Sequence, residues 1–188
     1  MDENALRQLF KSLNRFMLLM WQLGLGKMLN GWPSVGGRIM VLTHTGRKTS
    51  LHRRTPVNYA LIDGDIYCTA GFGHASDWYR NMKVNPHVEV WLPNGWWHGI
   101  AEDVSESQNR LPILREVLIA SGFAAYAADV NPRVLTDEEL DEKTAVYRLI
   151  KIHRTKPCTG DGGPGELAWI WPLLTFILLP LLIFKCKR

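Results

Sequence analysis

Cysteine is scarce in this chain of 188 residues, which contains three cysteines, at Cys68, Cys158 and Cys186. Their number is odd, they lie far apart, and no histidine stands at metal-ligand spacing from them. The spacing therefore predicts neither a disulfide framework nor a zinc site. Cys68 lies in a strand-like run, so we expect it to be a small core residue.

Strong charge is also lacking, since the formal net charge is only +4. Such a mild excess favours anionic partners only weakly, and we expect no nucleic-acid partner. The first residues lack the pattern of a cleavable signal peptide, because Arg7, Lys11 and Arg15 interrupt any apolar run there. No internal repeat is visible. A composition of 46% hydrophobic and 21% charged residues is typical of a globular protein.

One long segment lacks charge altogether, from Leu167 to Phe184. As a helix it would be roughly 27 Å long, and Trp169 and Trp171 precede basic residues at its other end (Lys185, Lys187 and Arg188) as interfacial anchors do. Pro172 and Pro180 argue against a straight span. We predict a membrane-associated segment over 167–188 that spans the bilayer, re-enters it or lies on its surface. A core helix covering the domain is the alternative.

The N-terminal part, residues 1–35, is predicted to contain an amphipathic helix and a connection. Over residues 5–22 the apolar side chains recur at helical spacing, and they are Leu6, Leu9, Phe10, Leu13, Phe16, Met17 and Met20. We favour the interpretation that this stripe packs on the protein's own core. A helix lying on a membrane surface is the alternative, because basic residues occupy much of the other face.

Residues 36–152 carry the pattern of an antiparallel barrel. Strand-like runs punctuated by turn residues predict six strands, over 38–44, 52–61, 66–70, 87–92, 96–104 and 146–152. Helices are expected after Ser76 and, from capping boxes, after Ser105 with Gln108 and after Thr136 with Glu139. The fold class is therefore α+β, a split barrel of about six antiparallel strands with flanking helices and a C-terminal apolar helix. A Gly/Pro-rich linker is expected over 153–166.

A basic turn is the first candidate site. Residues 45–56 place four cations around a turn between two strands, Arg47, Lys48, Arg53 and Arg54. Cationic forks together with the outward N–H groups of a turn suit phosphate or carboxylate oxygens. A solvated basic hairpin is the alternative.

The loop of residues 71–81 is the second candidate site. Gly71 and Gly73 allow close approach of a ligand to the backbone, and Phe72 and Trp78 could wall a flat ring. A loop with core aromatic residues is the alternative. His74, Tyr59 and Tyr126 are candidate proton donors by residue type alone, so no catalytic acid is assigned.

The ordered motifs T-G-R-K-T, R-x-x-P, D-G, A-G-F-G, D-W-Y-x-N and N-P-x-V-x-V stand at spacings that resemble the deazaflavin-dependent nitroreductase family. The resemblance covers residues 36–104 well and the flanks more loosely. It implies an FMN-binding-like split barrel that uses the deazaflavin coenzyme F-420 in place of FMN. Some members of the family reduce nitro compounds or quinones.

The resemblance also implies roles for residues, position by position. It implies that Arg47, Lys48 and Thr49 bind the phosphate and acidic tail of the cofactor, with Ser50 beside them and Arg53 further along the same site. The deazaflavin ring lies along the strand that begins at Pro56 and Val57. The remaining matches are a tail-end loop and a bordering helix, namely Ala70, Gly71, Phe72, Gly73, Trp78 and Asn81. The best-known members carry a lysine, in an A-S-K-G-G pattern, where this chain has Gly71 and Phe72, so FMN or another anionic ligand stays an alternative.

The predicted function is hydride transfer from the reduced deazaflavin to a small hydrophobic electrophile, a quinone or a nitroaromatic. The cofactor carries this chemistry and the protein supplies binding, orientation and exclusion of water. The alternative is a non-enzymatic, membrane-associated carrier of a flavin, deazaflavin or lipid. Membrane lipid is the second expected partner, with the catalytic domain on the cytoplasmic side, and the oligomeric state is left open.

Overall fold

A computed structural model describes the backbone of residues 3–186 and the side chains of residues 12–179. Its centre is a closed barrel of six antiparallel strands in the order β1-β2-β3-β6-β5-β4. The strands are β1 (Ile39–Thr45), β2 (His52–Ile62), β3 (Asp65–Ala70), β4 (His87–Leu92), β5 (Gly95–Asp103) and β6 (Arg148–Pro157). The prediction of a six-stranded antiparallel α+β barrel is confirmed.

Tight turns set the register of the hairpins. β2 pairs with β3 as far as Ile62 opposite Asp65, so Asp63 and Gly64 form a two-residue loop. Both residues have positive φ, 51° and 87°, which is the backbone that a hairpin turn matching the strand twist requires. Gly64 adopts this conformation without strain, because it has no Cβ.

The barrel interior holds the main hydrophobic core. Alternate residues of every strand point inward and pack with residues of the helix after β3, among them Met40, Leu42, Tyr59, Ile66, Cys68, Tyr79, Val90, Ile150 and Ile152. Cys68 is fully buried, as the sequence predicted. A second cluster fills the space under the helices that lie between β5 and β6.

The described part of the chain contains eight helices: α1 (Glu3–Gln22), α2 (Gly26–Leu29), α3 (Pro33–Gly36), α4 (Asp77–Val84), α5 (Arg110–Ala120), α6 (Phe123–Ala127), α7 (Asp137–Lys143) and α8 (Ile170–Cys186). A 3₁₀ turn over Gly73–Ala75 precedes α4. The capping box of Thr136 and Glu139 is present at α7 and satisfies two backbone N–H groups there.

The second predicted capping box, of Ser105 with Gln108, is wrong. α5 begins only at Arg110 and has no side-chain cap. The Ser105 hydroxyl donates instead to Asp103 Oδ1 at 2.6 Å, and its oxygen accepts from the N–H of Leu149 at 2.9 Å. Ser105 therefore joins β5 to β6 rather than starting a helix. Ser76 precedes α4 as predicted, but its side chain makes no capping hydrogen bond.

The end of α1 is fixed to the barrel and to the C-terminal segment. Trp21 is buried beside Trp91, with ring centroids 6.4 Å apart. The N–H groups of Gly165 and Leu167 donate to the carbonyls of Trp21 and Gln22. The predicted stripe residues Leu6, Leu9 and Phe10 lie outside the described side chains.

The region predicted as a linker is only partly irregular. β6 continues through Pro157, five residues into it, because its end pairs with Trp97 of β5. Beyond the strand, the Gly162 carbonyl accepts a hydrogen bond from the Arg54 guanidinium, which also forms an ion pair with Glu166 at 3.2 Å. Residues 158–167 are thus attached to β2 and to α1.

α8 contains 17 residues and begins three positions after the start of the predicted apolar segment. Residues 171–179 are all exposed, so this part of the helix does not cover the barrel as a core helix would. Within the part of the chain that the structure describes, no helix combines the length and the apolar character needed to cross a membrane. The side chains of Pro180, Lys185, Lys187 and Arg188 lie outside the described ones.

Candidate functional site

The basic turn joins β1 to β2. The Gly46 N–H donates to the Leu51 carbonyl at 2.8 Å, and the Ser50 N–H donates to the Gly46 carbonyl at 2.8 Å. A Cβ on Gly46 would lie 2.9 Å from Thr49 Oγ1 and 3.0 Å from Arg53 Nε, which is too close. Glycine therefore lets the turn close. Lys48, Thr49, Ser50 and Arg53 are exposed around it.

A hydrogen-bond chain behind the turn holds Arg47. The Oδ1 atom of Asn81 on α4 accepts from the Arg47 backbone N–H at 3.1 Å and from Nη1 at 2.9 Å. Arg47 Nη1 also donates to Asp77 Oδ1 at 3.1 Å. The pKa of Asp77 is lowered, first by this hydrogen bond from Arg47. Arg47 is thus fixed to α4 rather than free in solvent.

The chain continues inward to a buried histidine. The Asn81 amide Nδ2 lies 3.1 Å from His44 Nδ1, and His44 Nε2 lies 3.2 Å from Thr55 Oγ1. Burial, followed by the charge of Arg53, lowers the pKa of His44 to about 4. His44 is therefore neutral at physiological pH. Because Asn81 Oδ1 is used by Arg47, Nδ2 is the donor toward Nδ1, and the ring proton lies on Nε2.

A cavity of about 620 Å³ opens between β2, the loop before α4, α1 and the α5–α6 corner. This volume is typical of sites for cofactors and small organic ligands. The wall on β2 is formed by Thr55, Pro56, Val57 and Asn58. Asp77 also lines the cavity and accepts the hydrogen bond from Arg47, so the cavity lies next to the hydrogen-bond chain that holds Arg47. The other walls are mainly apolar and come from Leu13, Phe16, Met17, Leu29, Ile39, Phe72, Ala75, Trp78, Leu118, Phe123, Ala124, Ala125, Ala128 and Tyr147.

The structure divides the predicted cofactor residues into three groups. Those that line the cavity are Pro56, Val57, Gly71, Phe72 and Trp78. Those on the adjacent turn are Arg47, Lys48, Thr49, Ser50 and Arg53. Those behind the site are Ala70, Gly73 and Asn81, which are all buried. The two candidate sites of the sequence therefore meet at one place.

Gly73 supports the loop through packing. Its φ is 49°, and a Cβ there would lie 2.1 Å from the Val146 carbonyl oxygen. Only glycine fits at this contact between the loop and the residues before β6. Gly71 has more room, since its Cβ would meet the Tyr147 ring at 3.6 Å.

The sequence did not reveal the cavity walls that come from distant segments. Leu13, Phe16 and Met17 belong to the predicted apolar stripe, but part of that stripe faces the cavity and Phe16 stays half exposed. Their helical spacing was the available signal. The sequence did not indicate that Phe123, Ala124 and Ala128 face a cavity. The helix α6 has only five residues, and it has no polar face whose opposite side could be identified as the buried one.

The candidate proton donors also differ from expectation. Tyr59 is buried in the barrel core, Tyr126 is exposed, and His74 is exposed and packs edge-on against Tyr79 at 5.3 Å. None of these three lines the cavity, whereas Tyr147 does. Burial raises the pKa of Tyr147, so its phenol is protonated at neutral pH.

Fold and site together define a class, a split-barrel domain whose ligand-sized cavity opens beside a cationic turn. Residues 20–136 match the model of the family described as F420H(2)-dependent quinone reductase. This match covers more than half of the chain, and the chain belongs to that family. The predicted resemblance to deazaflavin-dependent reductases is confirmed, and the match gives no support to the carrier alternative or to FMN.

The curated relatives match a shorter part of the chain than the family model does. An F420H(2)-dependent quinone reductase from Mycobacterium tuberculosis (strain ATCC 25618 / H37Rv) is 42% identical over 55 residues, 27% of this chain and 36% of the relative. The chain thus spans about a third of the length of the curated relatives it matches. A solved F420-H2 dependent reductase is 21% identical, with a TM-score of 0.46, over 62% of this chain and 94% of that one. A conserved hypothetical protein from Mycobacterium tuberculosis is 21% identical, with a TM-score of 0.47, over 73% of this chain and 91% of that one.

Proposed function

We propose that this protein is an F420-dependent oxidoreductase that reduces a hydrophobic quinone, or a nitroaromatic of similar shape. One observation carries the proposal: a largely apolar cavity adjoins a turn with exposed cations, in a chain of the F420H(2)-dependent quinone reductase family. A coenzyme with a flat ring and an anionic tail needs both surfaces at once. When bound, the reduced coenzyme supplies the hydride.

The residues of this chain divide the remaining work. Lys48 and Arg53 are the exposed cations that would bind the phosphate and the acidic tail, while Arg47 is held in place by Asp77 and Asn81. Pro56 and Val57 give the ring a flat wall along β2, and Trp78 closes a second side. The apolar walls exclude water from the reacting atoms.

Tyr147 is the candidate proton source. Among the described residues that line the cavity, Asp77 and Tyr147 are the ionisable ones, and Asp77 is held as a carboxylate by Arg47. Burial keeps the Tyr147 phenol protonated, so it can donate a hydrogen bond or a proton to a substrate oxygen. Asp77 instead orients Arg47.

Titration of the purified protein with oxidised coenzyme, followed by its absorbance or fluorescence, tests the proposal first. Lys48→Ala should weaken binding by about 1–3 kcal/mol, or roughly 5–150-fold, because a charge-assisted hydrogen bond is lost. Lys156→Ala removes an exposed cation on β6 and is the matched control, which should bind normally. Turnover with a naphthoquinone then separates an enzyme from a binding protein. Saturable coenzyme binding without turnover of quinone or nitroaromatic would contradict the proposal.

Arg47→Ala is expected to reduce coenzyme affinity as well, by about 1–3 kcal/mol. This variant also removes the partner of Asp77 and Asn81, so its effect mixes binding with positioning. Lys48→Ala is therefore the cleaner measure of the cationic grip. Unchanged affinity in both variants, at low and at physiological salt, would remove the phosphate-binding role of the turn.

We also propose that α8 places the protein on a membrane surface. Its support is exposure: Trp171, Leu173, Leu174, Phe176, Ile177, Leu178 and Leu179 each expose 40% or more of their surface. An apolar helix in contact with water is costly, and a lipid interface would cover it. Flotation of the full chain with phosphatidylcholine and phosphatidylglycerol vesicles tests this, and a full chain that stays monodisperse and unbound would contradict it.

A further inference from the structure

A cluster of three possible metal ligands lies on the barrel wall away from the cavity. Glu89 is on β4, His98 is on β5, and Cys158 follows the end of β6. Their nearest ligand atoms all lie within 4.8 Å of one another. None of the three lines the cavity described above. The cluster is therefore a separate feature, and it joins three neighbouring strands.

The strand register brings these residues together. Glu89 and His98 stand directly opposite each other in the β4–β5 ladder, so their side chains share one face. β5 and β6 are irregular between Trp97 and Gly99, which flank His98. The N–H of Cys158 donates to the Trp96 carbonyl at 2.9 Å and holds the thiol beside the pair. Such irregularities in a strand re-aim side chains and are frequent near functional sites.

One carboxylate oxygen of Glu89 accepts a hydrogen bond, and the other oxygen faces His98. The Trp96 indole N–H donates to Glu89 Oε2 at 3.1 Å, which orients the carboxylate. The other oxygen, Oε1, lies 3.9 Å from His98 Nδ1. Bond lengths of about 2.0–2.3 Å in a tetrahedral zinc site put ligand atoms roughly 3.3–3.8 Å apart. Small side-chain adjustments would therefore complete the geometry.

In the portion of the chain with described side chains, no basic side chain offsets the charge of Glu89 in an ion pair, apart from the histidine of the cluster itself. A second histidine–carboxylate pair, His153 with Asp65, differs because Lys151 also lies 2.8 Å from Asp65. That pair has an ammonium group and no thiol, so its carboxylate is already neutralised. Glu89 has only an indole N–H and a histidine.

We propose that Glu89, His98 and Cys158 bind a Zn²⁺ ion, with solvent in the fourth position. Thiolate sulfur, imidazole nitrogen and carboxylate oxygen are the three donor types that zinc prefers. The side chains of Glu89 and His98 are partly exposed, at 26% and 42%, which gives an ion access from solvent. Bound metal would clasp β4 and β5 to the segment that leaves the barrel after β6.

Cobalt substitution of the chelator-treated full chain tests this proposal. One Co²⁺ per chain should bind and give a thiolate-to-cobalt charge-transfer band together with tetrahedral d–d bands. Cys158→Ser should lose the charge-transfer band and weaken binding at least tenfold. His98→Asn should weaken it similarly, and Trp96→Phe should keep the band but weaken binding by about tenfold, since the carboxylate loses its orienting donor.

Matched control variants distinguish this site from other residues of the chain that could bind Co²⁺. His153→Asn changes the histidine of the comparison pair and should leave both stoichiometry and spectrum unchanged, as should Cys186→Ser. Thermal melting of each variant without metal checks that it is folded, and Cys158→Ala serves if Cys158→Ser is not. Absence of Co²⁺ binding, or an unchanged spectrum in a folded Cys158 variant, would overturn the proposal.

Discussion

The buried histidine behind the basic turn predicts how stability depends on pH. The pKa of His44 is lowered to about 4, from 6.5, because the ring is buried and Arg53 is near. Its folded pKa is depressed, so the unfolded chain binds the proton first as the pH falls. The contribution of neutral His44 to the free energy of unfolding is complete above pH 6.5 and decreases as the pH falls from 6.5 to 4. Below pH 4, His44 causes no further loss of stability.

The size of the loss follows from the same two values. A fall in pKa from 6.5 to about 4 corresponds to about 3 kcal/mol in the free energy of unfolding. This is a large part of the stability of a typical domain. Protonated Nδ1 would also turn from acceptor to donor, facing the Asn81 amide at 3.1 Å. Loss of Asn81 orientation should then release Arg47 and weaken coenzyme binding as the pH approaches 4, where the folded protein protonates His44.

Urea unfolding at several pH values between 7.5 and 4 measures the effect in the wild type and in His44→Gln. Glutamine cannot titrate, so the variant should lose about 3 kcal/mol less than the wild type between pH 7 and pH 4. Other groups contribute equally to both proteins and cancel in the difference. Parallel pH dependences in the two proteins would refute the argument from His44.

Three further predictions concern the cavity and its edges. The family resemblance implies a lysine at the position of Phe72, so we expect affinity to depend little on the length of the coenzyme's oligoglutamate tail, and Phe72→Lys to introduce that dependence; strong tail-length dependence in the wild type would contradict this. Tyr147→Phe should lower kcat about 100-fold or more with coenzyme affinity unchanged if the phenol donates the proton, and an unaltered kcat would exclude that role. Deletion from residue 172 onward should leave coenzyme affinity intact, whereas deletion from Leu167 onward should weaken it, because the Leu167 N–H and the Trp171 indole hold the end of α1; equal affinities would show that α1 needs no such anchor.

Local chemistry made much of the barrel predictable. The turn at Asp63-Gly64 separates β2 from β3, and its position was predictable because few residues tolerate the backbone that tight turns need. Both candidate sites were also visible, since cations and glycines cluster there within short stretches of sequence. Their meeting at one cavity follows from the barrel topology.

What escaped prediction depends on contacts between distant residues. Ser105 looked like a helix cap, but Asp103 and Leu149 occupy its hydroxyl in the fold. β6 extends past its predicted end because its last residues pair with β5, and the sequence of β6 alone does not indicate this pairing. The proposed metal ligands escaped for the same reason: spacing along the chain showed no zinc motif, and only the strand register brings Cys158 to Glu89 and His98.

The attachment of α1 to the C-terminal segment has a consequence for the order of assembly. Three residues of α1 line the cavity, namely Leu13, Phe16 and Met17. The hydrogen bonds that hold the end of this helix are donated by Gly165, Leu167 and Trp171. Contacts of such long sequence separation form late in folding. On a ribosome, α1 emerges well before these partners, because about 140 residues separate them in the sequence. The cavity would therefore acquire its final shape only after residues 165–171 have been made, and a chain without them would carry the barrel without a finished binding site.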